Sequence, residues 1–189
     1  MYRFETDRLI LRRFTRDDEG IHALVYGDPE VCERWFSRLR TLAETRDWLV
    51  YREQEGANDD LGFWAVVRKE DERLLGLVAL QYYIASWIVL EDERDASFNR
   101  VEIELSYAFG RAHWGEGYAT EAGRELVDHA FRRLRLARLV NAVDRENVRS
   151  IGVMRRLGFR LGPNLHPDGA DAVVGVLENR LGAISPADI

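Results

Sequence analysis

The sequence predicts an α+β (mixed α/β) domain, and three observations carry that reading. Residues 101–108 alternate in the two-residue period of a pleated strand, with Val101, Ile103, Leu105 and Tyr107 opposite Glu102, Glu104, Ser106 and Ala108. Residues 63–68 (FWAVVR) and 74–83 (LLGLVALQYY) are apolar runs joined by the polar stretch 69–73 (KEDER), the pattern of an antiparallel hairpin. Beyond residue 101, strand-like runs alternate with helical ones. Local pairing followed by alternation defines the mixed class.

The elements follow in order. Residues 8–14 (RLILRRF) form a first short strand, with Leu9, Leu11 and Arg13 on one face. Thr15 caps a helix with Asp17 and Asp18 in its first turn, continued by Ile21, Leu24 and Val25. Gly27-Asp28-Pro29 breaks it, and Pro29 suits the first turn of another short helix reaching Phe36. Thr41 opens a third helix through Leu42, Thr45, Trp48, Leu49 and Arg52, with Glu44 at the capping-box position. Residues 56–62 are a loop. Residues 84–90 are apolar and extend the hairpin's second strand, or pair with a second copy, and 91–99 are loop-like. After the strand at 101–109 come the loop 110–117 and a helix with Ala119, Ala122, Leu126, Val127, Ala130 and Phe131 at helical spacing. A strand at 137–143, a helix carrying Val148, Ile151, Met154 and Leu157 and closed by Gly158, a short strand at 159–161, a loop and a last strand at 172–177 complete the chain.

Bulk properties narrow the classes. The 189 residues suit a single domain spanning 1–189, with no repeat or linker to divide it. Hydrophobic residues at 46% and charged residues at 32% describe a folded chain, not a disordered one. A net charge of −6 argues against a nucleic-acid partner and mildly favours a cationic acceptor. Cys32 is the sole cysteine, so no disulfide or Cys-x-x-Cys metal site is expected, and the four histidines lack metal-ligand spacing. The charged opening is not a signal peptide and no apolar run is long enough to cross a membrane, so the expected compartment is the cytoplasm.

The chemistry concentrates at 110–119. Gly115 and Gly117 lack Cβ atoms and let backbone N–H groups approach a ligand, while the following helix offers its free first-turn N–H groups and positive dipole end. Strand, glycine turn and helix is a phosphate-binding arrangement, and it is equally an ordinary strand-to-helix connection.

Several segments in fixed order extend this: TDRLILRRF, DPEV at 28–31, IELSYAF, HWGEGYATEA, the segment Glu146-Asn147-Val148-Arg149-Ser150, and Leu157-Gly158-Phe159. Together they resemble the GCN5-related N-acetyltransferase (GNAT) superfamily, in its ribosomal-protein-alanine, RimJ/RimL-like branch, over roughly residues 6–177. The resemblance implies a strongly bent mixed sheet flanked by helices. It implies acetyl-coenzyme A as co-substrate, with its pantetheine arm in a split between two parallel strands, here 101–109 and 137–143. Cofactor contacts carry over to Phe109, Ala112, Trp114, Gly115, Glu116, Gly117, Tyr118 and Ala119, the pyrophosphate resting on backbone N–H groups. One departure stands out. The family's loop usually opens on Gln or Arg where this chain has Ala112, and an arginine stands one place earlier, at Arg111, free to reach a phosphate or to be a solvated loop charge.

For acetyl transfer an amine must lose a proton and a thiolate must gain one. The resemblance makes Glu104 the base, directly or through a water, with Glu102 in reserve; partial burial would raise such a carboxyl toward neutrality. Asn147 is implied to bond the pantetheine amide, and it equally suits a helix N-cap. Ser150 matches the thiolate's proton donor, or is a helix-surface serine; no tyrosine follows Tyr118 to take that role. Trp35 and Trp87 fall in regions that form the acceptor pocket in relatives, and Arg155 and Arg156 meet a phosphate or lie on a solvated face. The acceptor would be a protein N-terminus or a small-molecule amine, the protein a monomer or homodimer, with no metal and no membrane partner. Two readings compete. One is a non-catalytic acyl-coenzyme A sensor. The other is a dinucleotide-binding unit, which lacks its third glycine at Thr120 and places Asp144 29 residues after Gly115.

Overall fold

The structure, a computed structural model, describes residues 3–34, 38–55, 60–84, 100–166, 169 and 171–180. Eight strands are hydrogen-bonded in the order β1-β2-β3-β4-β5-β6-β8-β7, a mixed sheet. They are β1 (Phe4–Glu5), β2 (Leu9–Arg13), β3 (Gly62–Arg68), β4 (Leu74–Ile84), β5 (Val101–Phe109), β6 (Arg138–Asp144), β7 (Arg160–Pro163) and β8 (Ala172–Glu178). The helices are α1 (Pro29–Glu33), α2 (Leu42–Glu55), α3 (Tyr118–Asp128) and α4 (Val148–Leu157). The chain divides into two compact units, Met1–Gln81 with Leu105–Glu125 and Tyr82–Glu104 with Leu126–Ile189.

In the first unit β2 pairs with β3 and β3 with β4, all antiparallel, so the expected hairpin at 63–83 is present. Leu9 and Leu11 of β2 are fully buried, and Arg13 shares their face. Its guanidinium lies 3.9 Å from the Trp64 ring centroid and donates to the Leu61 carbonyl at 2.8 Å, so a charged group is accepted there by stacking and hydrogen bonding. Phe14, Ile21, Val25, Tyr26, Leu49, Ala65 and Leu77 form the core, with Trp48 packed edge-on against Phe14, Tyr26 and Phe63. Gly76 admits the close approach of β5: a Cβ there would stand 2.2 Å from the Ala108 carbonyl oxygen and 2.7 Å from the Phe109 Cα.

The helix expected to start at Thr15 does not. Residues 15–20 are turns, and the first helical stretch is a π-type turn at His22–Tyr26, closed by Gly27 N–H to the His22 carbonyl at 2.6 Å. Asp18 is the cause. It pairs with Arg12 at 2.7 Å through both oxygens and accepts from the Thr15 N–H and hydroxyl, so it closes a turn back onto β2 instead of entering a helix. Burial pushes the Asp18 carboxyl up, but the bonds from Arg12 and Thr15 outweigh it and hold the group below its ordinary value. Asp28 caps α1 by accepting from the Glu30 and Val31 N–H groups, with Pro29 in the first turn as expected. The capping box of α2 also forms: Glu44 accepts from Thr41 N–H at 2.7 Å while Glu44 N–H donates to the Thr41 hydroxyl at 3.2 Å.

In the second unit β6 and β8 pair antiparallel along their whole length, β7 pairs with β8, and β5 meets β6 in parallel at Glu104↔Val140. Val140, Val174 and Val176 are its core. Helix α4 runs from an Asn147 cap to Gly158, whose left-handed φ of 92° lets Phe159 N–H close on the Met154 carbonyl at 3.0 Å. The continuation of β4 beyond residue 84, the loop at 91–99, Trp35, Phe36 and Trp87 lie outside the described residues.

Two measurements check this packing. Gly76→Ala is expected to lower unfolding stability by about 2–3 kcal/mol in urea titration, because the obstructing atoms are backbone. Asp18→Asn is expected to cost about 2 kcal/mol near neutral pH, since Arg12 keeps half its partner and is partly solvated. A carboxyl whose folded value is depressed stabilises above its unfolded pKa of about 4 and loses that contribution as pH falls further. The Asp18→Asn protein should therefore lose less stability than wild type between about pH 5 and pH 2.

Candidate active site

The glycine loop is built within the first unit. Strand β5 ends at Phe109, and a tight turn at Arg111–His113 follows, with His113 N–H on the Gly110 carbonyl at 2.9 Å. Trp114 folds back, its indole Nε1 donating to the Phe109 carbonyl at 2.7 Å while its ring packs on the core. That bond fixes the loop's start by the strand's own last carbonyl. Gly115 and Gly117 sit at φ 86° and 82°, where other residues are strained, and a Cβ at Gly115 would meet no atom within 4 Å. Gly117 then begins α3, its carbonyl accepting from Glu121 N–H at 3.0 Å. The first N–H groups of α3 have no carbonyl a turn earlier to bond, so they and the dipole's positive end are directed at whatever lies before the helix. Main-chain donors, left-handed glycines and an open surface fit a pyrophosphate.

Side chains around this loop are charged and mostly paired. Arg111 does not lie free at the place left by Ala112: its Nε binds Asp28 at 2.8 Å and its Nη1 binds Glu30 at 3.2 Å, tying the loop to the start of α1. Arg68 is held by both oxygens of Asp71, at 2.6 and 2.8 Å, and donates to the Tyr118 hydroxyl at 3.4 Å; these bonds keep it charged above its ordinary value. Burial, with the nearby Arg68 and Arg73 charges, pushes the His113 imidazole below its ordinary value. Arg8 and Glu121, which the sequence does not flag, also meet here. Arg8 Nε and Glu121 are 2.7 Å apart across 113 residues of sequence, a distance no periodic pattern spans.

The second unit holds Glu104, Asn147 and Ser150. Glu104 is half-buried on β5, level with Val140 of β6. Glu102 is buried and bound by the Arg138 guanidinium through both oxygens, so the reserve candidate is a structural ion-pair partner, not a group open to an acceptor. Alternation along β5 had suggested one apolar face; in fact Glu102, Ser106 and Ala108 are buried while Val101 is 67% exposed. Asn147 does cap α4, its Oδ1 accepting from Ser150 N–H at 3.2 Å, a bond that uses only the carbonyl half of the amide. Ser150 is buried, which excludes a helix-surface serine. Arg155 and Arg156 lie exposed, and Trp48, Trp64 and Trp114 belong to the packing of the first unit. Among the described residues, no group of three or more His, Cys, Asp or Glu is arranged to hold a metal ion, and no helix is long and apolar enough to cross a membrane.

Comparison with known proteins agrees with this architecture. Residues 8–160 match the family model described as Acetyltransferase (GNAT) domain. An uncharacterized N-acetyltransferase, p20, of Bacillus licheniformis is 26% identical over 156 residues, covering 82% of this chain and 80% of that protein. The crystal structure of a GNAT-family acetyltransferase from Bacillus anthracis superposes with a TM-score of 0.73 at 19% identity, covering 94% of this chain and 99% of that one. RimL, a ribosomal L7/L12 alpha-N-protein acetyltransferase solved in complex with coenzyme A, superposes with a TM-score of 0.68 at 16% identity, covering 94% and 98%. The family match, which spans residues 8–160, overturns the dinucleotide-binding alternative, whose resemblance covers only the strand, loop, helix and strand at 101–143 with Asp144. With a matched region that spans β2 to the start of β7, the chain belongs to the GNAT acetyltransferase family and is by that membership an N-acetyltransferase.

Proposed function

We propose that this enzyme moves the acetyl group of acetyl-coenzyme A to a primary amine, either a protein N-terminus or a small-molecule amine, by direct attack in a ternary complex. The observation that carries the reading is the start of α3, where two left-handed glycines precede the first turn of a helix, the turn whose N–H groups no carbonyl of the same helix can reach. Backbone groups from Ala112 through Trp114, Gly115, Glu116, Gly117, Tyr118 and Ala119 would hold the pyrophosphate, and Phe109 at the end of β5 and the Asn147 amide nitrogen would meet the pantetheine arm. Bound there, acetyl-coenzyme A supplies an activated acetyl thioester.

The chain's own work is then to bind, orient and move protons. Glu104 accepts the proton that the acceptor's ammonium group must lose, directly or through a water. Ser150 keeps a proton on Oγ for the departing sulfur. Its hydroxyl is a weak acid, so burial and a fixed place in the first turn of α4 must supply by orientation what acidity does not. The reading further assigns the chain to the RimJ/RimL-like branch, treats residues 1–189 as one acetyltransferase domain, and places it in the cytoplasm as a monomer or homodimer without metal.

Glu104→Gln separates the proton-transfer role from binding. Across a panel of peptide and small-molecule amines, kcat is expected to fall by a factor of 10² to 10⁴ while KM for acetyl-coenzyme A changes less than about threefold. An unchanged kcat would remove Glu104 from the mechanism.

A further inference from the structure

The glycine loop suits a phosphate in only one orientation of its peptides. Glycines on both sides of Glu116 make the intervening peptides easy to turn over. In a trans peptide the carbonyl and the N–H point in opposite directions, and no cis bond occurs among the described residues. The Glu116 carbonyl accepts from Arg8 Nη2 at 3.1 Å. The Gly117 N–H, at the other end of that peptide, therefore faces away from Arg8. Turned over, the same peptide would present an oxygen where the N–H now points, and an oxygen repels a phosphate.

Arg8 is fixed from several directions at once. Its Nε donates to Glu121 Oε2 at 2.7 Å and its backbone N–H to Oε1 at 2.9 Å, while the Thr6 hydroxyl donates to the same Oε1 at 2.5 Å. The guanidinium lies over the Tyr118 ring, its carbon 4.6 Å from the centroid. Glu121 stands in the first turn of α3, so the anchor of Arg8 belongs to the helix whose N-terminus the loop serves. A planar fork reaches a carboxylate and a carbonyl in one fixed geometry; a lysine ammonium offers a compact point charge on a flexible stem instead.

We infer that Arg8 is a positioning residue that locks the Glu116–Gly117 peptide with its N–H turned toward the coenzyme's phosphates, an inference that rests on the acetyltransferase reading above. Arg8 touches neither the acetyl group nor the acceptor. Its effect is confined to the nucleotide half of the coenzyme, and that confinement makes it testable.

The test is an NMR titration of wild type, Arg8→Ala and Arg8→Lys with coenzyme A and with pantetheine, which lacks the phosphates. Arg8→Ala should weaken coenzyme A roughly tenfold and lower the preference for coenzyme A over pantetheine by about the same factor, the weight of one charge-assisted hydrogen bond. Arg8→Lys should show a smaller fall in that preference, about threefold, and it stands in if the alanine variant does not fold. A preference unchanged in the folded variants overturns the lock, even if both ligands weaken together, since that would be loss of stability alone. Failure of the wild-type protein to bind coenzyme A is a separate outcome: it overturns the acetyltransferase reading and the lock with it.

Discussion

No α-helix can satisfy the N–H groups of its own first turn, and the start of α3 is organised around that deficit. The residues around it shape the approach to that turn. Trp114 takes the last carbonyl of β5, so the loop begins at a fixed point. Two glycines carry the chain through left-handed conformations. Gly117 supplies the first intrahelical carbonyl, which accepts from Glu121 N–H. Capping side chains at α1, α2 and α4 do the opposite: Asp28, Thr41 and Asn147 each accept from their own helix, and those ends are closed. At α3 the cap position is a glycine, which has nothing to accept with.

Charge is managed in the same spirit. The basic groups at the loop are committed to carboxylates: Arg8 to Glu121, Arg68 to Asp71, Arg111 to Asp28 and Glu30. Local positive potential from these pairs is small, so in the proposed reading the holding of an anion would fall to main-chain donors and the helix dipole. This also answers the departure at Ala112. The arginine one place earlier is not a displaced copy of the missing side chain but a tie to the α1 cap. In the second unit, Arg138 serves Glu102 in a largely buried pair two residues from the proposed base.

Much of this was legible in the sequence, and the failures share a cause. Strand and helix periods placed every described strand but the two-residue β1, and three of the four α-helices, because those elements bury a face and the face leaves a pattern, while Pro29 placed α1. Capping chemistry was read correctly at Thr41 with Glu44, where donor and acceptor lie within one turn, and the cap weighed as an alternative for Asn147 forms. It failed at Thr15, where a partner outside the helix, Arg12, claimed the carboxylate of Asp18. The alternation along β5 misassigned the buried face because that strand is covered on both sides and Glu102 has a distant cation to pair with. Arg8 and Glu121 left no trace for the same reason: their meeting is a property of the folded chain, separated by 113 residues. The loop was legible as glycines, while its orientation was not.

The central claim is that the start of α3 binds the pyrophosphate of acetyl-coenzyme A through main-chain donors. Isothermal titration of the purified protein with acetyl-coenzyme A, and in parallel with NAD, tests it most directly. The account predicts micromolar binding of acetyl-coenzyme A, about −8 kcal/mol, and no binding of NAD. Binding of NAD alone, or of neither ligand, would contradict it.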